Sequence, residues 1–106
     1  MLISESQKTH RFGDIIFIPE EMKLGVKNET FILTLREKEL LEFLCQHSNK
    51  ALKREEILSH VWGKNDFFLD RSMDVLIARL RKYLHAETRV SIETIHAVGY
   101  RFTTEF

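Results

Sequence analysis

Met73, Ile77, Leu80 and Leu84 stand at positions i, i+4, i+7 and i+11. A step of about 100° per residue stacks them into one narrow apolar stripe, so the spacing predicts a helix, one side buried, from about Asp70 or Arg71 to about His85. The same step sends Arg71, Val75, Ala78, Arg79 and Lys82 to the opposite side. Such a helix is stable only if something covers the stripe, and the chain supplies cover on both flanks. Upstream, Ile57, Leu58 and Val61 form the apolar stripe of a helix from about Arg54 to Trp62, stopped by Gly63. Downstream, Val90 to Ile95 and Tyr100 to Thr104 flank His96-Ala97-Val98-Gly99 and read as a β-hairpin over about 90–104. Two helices followed by a hairpin are the parts of a winged helix-turn-helix.

The rest of the chain fits around these parts. Thr34-Leu35-Arg36-Glu37 is a capping box, which starts an earlier helix whose Leu40, Leu41 and Leu44 share a face flanked by Phe43 and Cys45. Before it, Phe12 and the run Ile15 to Ile18 read as short strands, broken by Pro19, Glu20 and Glu21. Met22, Leu24 and Val26 then alternate with Lys23, Gly25 and Lys27, the pattern of a half-buried strand. Lys27-Asn28 is a two-residue turn, with Asn tolerant of positive φ, into a further strand from Glu29 to Leu33. The first ten residues are polar and unpatterned, so 1–10 reads as a linker remnant or frayed tail and 11–106 as the folded unit.

At 106 residues the chain has room for one core. No run of about 18 apolar residues is present to cross a bilayer, and the N-terminus lacks the basic and apolar stretches of a secretory signal. One cysteine, Cys45, rules out an internal disulfide and reads as a small core residue; the expected location is a reducing cytoplasm. The histidines and carboxylates have no metal-site or triad spacing, and the four glycines form no phosphate-binding loop. No enzymatic activity, metal or cofactor is expected.

Formal charge is zero overall, which argues against a globally basic nucleic-acid binder, but the mean hides an asymmetry. Residues 1–70 carry 10 basic and 12 acidic side chains, residues 71–106 carry 6 and 4, and Arg71, Arg79, Arg81 and Lys82 face only Asp74 within their segment. On the outward side of the predicted helix, Arg79 suits a bidentate contact with a guanine edge and Val75 a thymine methyl. Arg71, Arg81 and Lys82, nearer the margins, suit phosphate oxygens. A charged helix face is more often simply solvated, and an apolar residue within it is commonplace. Periodicity alone leaves both readings open.

The motifs decide between them. His60-Val61-Trp62-Gly63, Asp70-Arg71, Asp74-Val75, Ile77, Arg79-Leu80-Arg81-Lys82, Leu84 and Gly99-Tyr100-Arg101-Phe102 resemble the OmpR/PhoB-type effector domain of bacterial two-component response regulators, over roughly Phe12 to Phe106. The resemblance implies an α+β winged helix-turn-helix with an N-terminal four-stranded antiparallel sheet, three helices and a C-terminal wing. It implies sequence-specific binding of double-stranded promoter DNA, with the third helix in the major groove and Arg101, with His96 nearby, directed from the wing toward the minor groove. It also implies a polymerase-contacting loop at Lys64, Asn65 and Asp66, touching the sigma or alpha subunit, and direct-repeat half-sites bound by two copies of a domain that is monomeric in isolation. The phosphorelay signal would arrive through an upstream receiver domain of roughly 120 residues, the polar start fitting a truncated linker and Phe106 the natural C-terminus. A membrane-anchored one-component regulator would instead continue past Phe106.

Several residues depart from the family pattern. Ala78 and Leu76 replace commonly basic and polar residues, leaving fewer side chains for DNA. His96 and Ala97 replace a frequent arginine and glycine, which makes the wing tip stiffer and less basic. Lys53 replaces a capping Ser or Thr, forfeiting a hydrogen bond of about 1 kcal/mol, and is either solvated or a phosphate contact. Trp62 is expected to bury most of its ring while its indole N–H reaches a phosphate. The segment Lys64 to Leu69 reads as an extended loop in which at least one of Phe67 and Phe68 packs underneath. The alternative function is a winged helix turned protein-interaction module that reads no DNA sequence.

Overall fold

The computed structural model describes residues 8–64 and 66–106. Residues 1–7, within the expected tail, and Asn65, within the expected polymerase-contacting loop, lie outside them. In order the elements are β1 (His10–Phe12), β2 (Ile15–Ile18), β3 (Lys23–Val26), β4 (Glu29–Ile32), α1 (Leu35–Gln46), β5 (Leu52–Lys53), α2 (Arg54–Trp62), α3 (Phe67–Leu84), β6 (Val90–Ile95) and β7 (Gly99–Thr104). The first four strands form an antiparallel sheet in sequence order, and β5-β7-β6 form a second, three-stranded sheet. This is the expected α+β winged helix.

Alternation in β3 works as read: Leu24 and Val26 are fully buried. The β3–β4 turn differs, because Lys27 rather than Asn28 takes the positive φ of 55°. Lys27 is held there from outside the hairpin: its N–H donates to the Asp14 carbonyl at 2.9 Å and its ammonium meets Asp14 Oδ2 at 2.8 Å. The first strand begins at His10, paired with Phe17, one residue before the expected domain start.

In α1 the capping box forms in full. Glu37 N–H donates to Thr34 Oγ1 at 3.2 Å, and Thr34 N–H donates back to Glu37 Oε1 at 2.9 Å. Its inward residues Leu40, Leu41 and Leu44 meet Ile57 and Leu58 of α2, Met73, Ile77 and Leu80 of α3, and Phe102 of β7 in one core, with Cys45 a buried member. Burial of each such side chain contributes roughly 1.5–3 kcal/mol. The four-residue stripe of α3 thus outweighs any preference of its polar side, and that side is fixed outward.

One expectation needs correction and one element is added. The third helix starts at Phe67 instead of Asp70 or Arg71, because Asp66 caps it and accepts the Phe68 N–H at 2.9 Å. The connection from α2 is therefore residues 63–66, the length of an ordinary helix-turn-helix turn rather than an extended loop. Phe68 does not pack beneath it, being 81% exposed on the first turn of α3; the Phe67 side chain is outside the described residues. The added element is β5, which pattern reading misses because two residues carry no periodicity.

Gly99 explains how β5 joins the hairpin. A Cβ there would lie 2.1 Å from the Leu52 carbonyl oxygen and 2.9 Å from Arg54 N. Only a bare backbone lets β7 pass this close to the start of α2, where Arg54 N–H donates to the Val98 carbonyl at 3.0 Å.

Candidate nucleic-acid interface

Along α3, Met73, Leu76, Ile77, Leu80 and Leu84 are buried, while Arg71, Ser72, Val75, Ala78, Arg79 and Lys82 are exposed. Val75 is 45% exposed, in the middle of the cationic side. Leu76, expected only as a missing polar contact, completes the core instead. The N-terminal half of this surface borders a groove that Arg71, Ser72, Val75 and Arg79 share with Thr34, Arg36, Trp62 and Phe68.

Trp62 is half-buried at the end of α2, and the Arg36 guanidinium lies 5.5 Å over its ring. Arg36 is itself fixed by a hydrogen bond from Nη1 to the Val61 carbonyl at 2.6 Å and a 3.1 Å contact with Glu39. That carbonyl is one of those a helix C-terminus leaves unpaired, so Arg36 ties the end of α2 to the start of α1. Arg79 extends Nη1 to 3.6 Å from Glu37 Oε2, and its side chain stays 53% exposed.

Arg81, expected at phosphates, is engaged elsewhere. Its Nε and Nη2 donate to the Ile92 carbonyl at 2.9 and 2.7 Å, Nη2 also reaches Thr94 Oγ1 at 3.0 Å, and the guanidinium sits 5.6 Å over the Tyr100 ring. It braces the hairpin against α3. Arg101 is likewise occupied: Nε and Nη2 both donate to Glu93 Oε1, at 3.0 and 2.7 Å, across the strand pair where the two residues face each other. Arg101 first and Thr103 next hold the Glu93 carboxyl below its ordinary pKa. Arg101 thus lies partway along β7, its charge offset, and the exposed tip carries His96, Ala97 and Val98. At that tip Ala97 adopts φ 64°, closed by Val98 N–H to the Ile95 carbonyl at 2.9 Å.

Lys53 is exposed at the N-cap of α2 and makes no side-chain capping bond, as expected for a residue without an acceptor. Half of the box survives, since Lys53 N–H donates to Glu56 Oε1 at 2.9 Å. Lys64 is exposed in the turn before α3, and Asp66 spends a carboxylate oxygen on its cap.

Arg54, Asp70, Asp74 and Tyr100, to which the sequence reading assigns no role, come together in the fold. Arg54 donates to Asp70 Oδ1 and Asp74 Oδ1, each at 2.9 Å, Tyr100 O–H donates to Asp74 Oδ1 at 2.6 Å, and Arg54 lies 5.7 Å over the Tyr100 ring. Burial works against the Arg54 charge, but Asp74, Asp70 and Tyr100 outweigh it. Burial, with Asp74 second, raises the Tyr100 hydroxyl pKa, so the phenol remains the donor. The network clamps the start of α2, the first turns of α3 and the root of the hairpin into one orientation. A signal for it exists in the sequence: Asp70 and Asp74 stand four apart on an otherwise basic helix, a mildly unfavourable like-charge pair that a cation from elsewhere in the fold relieves.

Among the described residues no group of three or more His, Cys, Asp or Glu is placed to hold a metal ion, and no helix is long and apolar enough to cross a membrane.

Residues 28–102 match the family described as transcriptional regulatory protein, C terminal. The transcriptional regulatory protein RprY of Bacteroides fragilis is 34% identical over 101 residues, covering 95% of this chain and 43% of its own length. The phosphate regulon transcriptional regulatory protein PhoB of Escherichia coli is 44% identical over 69 residues, covering 63% of this chain and 30% of its own. The chain thus spans less than half the length of these relatives. Among solved structures, the RstA DNA-binding domain of Klebsiella pneumoniae in complex with the RstA box superimposes with a TM-score of 0.76 at 29% identity, covering 91% of this chain and 97% of that one. The chain belongs to the transcriptional regulatory protein C-terminal family, the winged-helix effector domains of OmpR/PhoB type.

Proposed function

We propose that this chain is the output domain of a two-component response regulator and binds promoter DNA in a sequence-specific way, α3 entering the major groove. The observation that carries the reading is the outward side of α3, where Val75 and Arg79 stand among cations on a helix whose other side is locked in the core. A helix fits the major groove, and an arginine beside a small apolar residue is suited to read guanine and the thymine methyl there. The likeness to a DNA-binding domain seated on its box supports it.

Val75 and Arg79 are the base readers; Arg71, Lys82 and Lys53 contact phosphates, with the Trp62 indole N–H beside them. Arg81 contributes mainly by holding the wing. His96, rather than the ion-paired Arg101, is the wing residue nearest a minor groove. The exposed turn at Lys64 is where RNA polymerase, through its sigma or alpha subunit, is engaged. Two copies occupy direct-repeat half-sites, the free domain is monomeric, and a receiver domain precedes it in a bacterial cytoplasmic protein. No catalytic step is assigned to any residue.

Selection of bound duplexes from a random pool, followed by titration of the winner and a scrambled duplex across salt concentrations, tests the reading. Expected are one enriched motif, at least about a 1,000-fold preference over the scrambled duplex, and affinity falling linearly in log–log form with salt. No enrichment even at low salt overturns it and favours the protein-interaction module.

A further inference from the structure

Glu37 is 2% exposed, and its carboxylate is gripped from several sides. Oε1 accepts the Thr34 N–H at 2.9 Å, Oε2 accepts the Tyr83 hydroxyl at 3.2 Å, and Arg79 Nη1 lies 3.6 Å from Oε2. Tyr83 is fixed in turn by stacking on Phe31 of β4, ring centroids 4.7 Å apart and planes at 25°. The Tyr83 hydroxyl pKa is raised, by burial first and by Glu37 next, so it donates. A helix cap needs only the Thr34 bond. The second oxygen is aimed at the recognition helix, where Arg79 is the cation that answers a desolvated carboxylate.

We infer that Glu37 is a specificity-determining positioning residue: it holds the Arg79 guanidinium so that its free edge is presented to a guanine in the major groove. The inference rests on Arg79 reading a base. With Nη1 turned toward Glu37, the Nε–Nη2 edge is left to offer two parallel N–H donors, the pair that matches guanine O6 and N7. An arginine side chain otherwise samples many rotamers and surrenders that freedom when it binds. A buried acceptor set into the core through α1, β4 and Tyr83 removes part of that cost before DNA arrives. It also penalises any pose in which Arg79 swings away to a phosphate, because the carboxylate would then be buried without its cation. Base reading is favoured over backbone contact at the same residue.

The test uses the 106-residue chain and two duplexes, the selected one and a copy changed at the base pair where Arg79→Ala loses discrimination. Arg79→Ala lowers the preference between them by about 5- to 150-fold. Glu37→Gln keeps an acceptor for Thr34 N–H but removes the charge, and the preference falls by about 3- to 10-fold, part of the value of the bidentate contact. Affinity for the scrambled duplex stays equal or becomes tighter. Loss of affinity for both duplexes in parallel, with preference intact, would mean a purely structural role and overturns the inference. Tyr83→Phe, which loosens the carboxylate without removing it, gives a smaller fall in preference and serves if Glu37→Gln does not fold; an unchanged preference in a folded Tyr83→Phe then overturns the inference. If Arg79→Ala leaves the preference unchanged at every position, base reading by Arg79 fails and takes this inference with it. If only Arg79→Ala lowers it, base reading stands and Glu37 is dismissed.

Discussion

Ala97 occupies the left-handed region at φ 64°, where an L side chain crowds its own backbone at a cost of roughly 1–2 kcal/mol. Glycine avoids that cost but loses more chain entropy on folding. The balance predicts that Ala97→Gly stabilises the fold by about 0.5–1 kcal/mol, read as a higher urea midpoint at unchanged slope; a lower midpoint would contradict it. Two residues on, the opposite change is expected to fail. Gly99→Ala places a methyl 2.1 Å from the Leu52 oxygen, and backbone rather than a flexible side chain is what it meets. Either β5 separates from β7 or the start of α2 shifts, and a loss of at least about 3 kcal/mol is expected in the same assay. The sequence showed a departure from the family at Ala97 but not its conformation, since the sign of φ depends on how the hairpin closes.

Among the elements, α3 was the most legible in which side it buries and the least legible in where its long side chains end. Its stripe of Met73, Ile77, Leu80 and Leu84 fixed which side faces outward, because one periodic pattern decides burial for the whole helix. Where the long side chains on that side end up is decided by neighbours from distant sequence. Arg81 is the case in point: it reads as a phosphate anchor in the helix alone and is drawn to the wing by the Ile92 carbonyl. The start of α3 at Phe67 was legible in principle, through Asp66 as a cap, although the segment reads as an extended loop without it. Arg81→Lys separates the two roles. Lysine keeps the charge but cannot span two acceptors with a planar fork. Bracing predicts a loss of about 1 kcal/mol and faster amide exchange in β6 and β7, with the salt slope of DNA binding preserved. Lys82→Ala should do the reverse, leaving stability within about 0.5 kcal/mol while the slope shrinks by about one. Unchanged exchange in Arg81→Lys would return Arg81 to the phosphate contacts.

At the scale of the molecule, two sheets from opposite ends of the chain must be held as one body for α3 and the wing to keep one relative orientation. The core does most of this, and Phe12 adds an edge-on contact with Phe102 at 5.0 Å. A polar joint completes it, and nothing in the linear pattern announced it, because its bonded partners Asp14 and Glu87 are 73 residues apart. Glu87, buried just before β6, accepts Asp14 N–H at 2.8 Å, Arg89 N–H at 3.1 Å, and Arg89 Nε and Nη2 at 3.1 and 2.9 Å. Gly13 makes room, since a Cβ there would fall 2.7 Å from Glu87 Oε2. Arg89, followed by the backbone donors of Asp14 and Arg89, holds the Glu87 carboxyl down to about 2 from an ordinary 4.5. A carboxyl whose pKa is lower in the folded state favours folding only while it is ionised. Its contribution is therefore complete above about pH 4.5 and is lost progressively as the pH falls toward about 2. Glu87→Gln tests this. The variant retains an acceptor for Asp14 N–H but sets an amide against Arg89, so it is less stable than the parent at about pH 7. Its stability should also fall less between pH 4.5 and 2, so that the two denaturation curves converge on acidification. Curves that stay parallel across that window would show that the joint is held by shape alone and that the Glu87 charge contributes nothing to keeping the two sheets together.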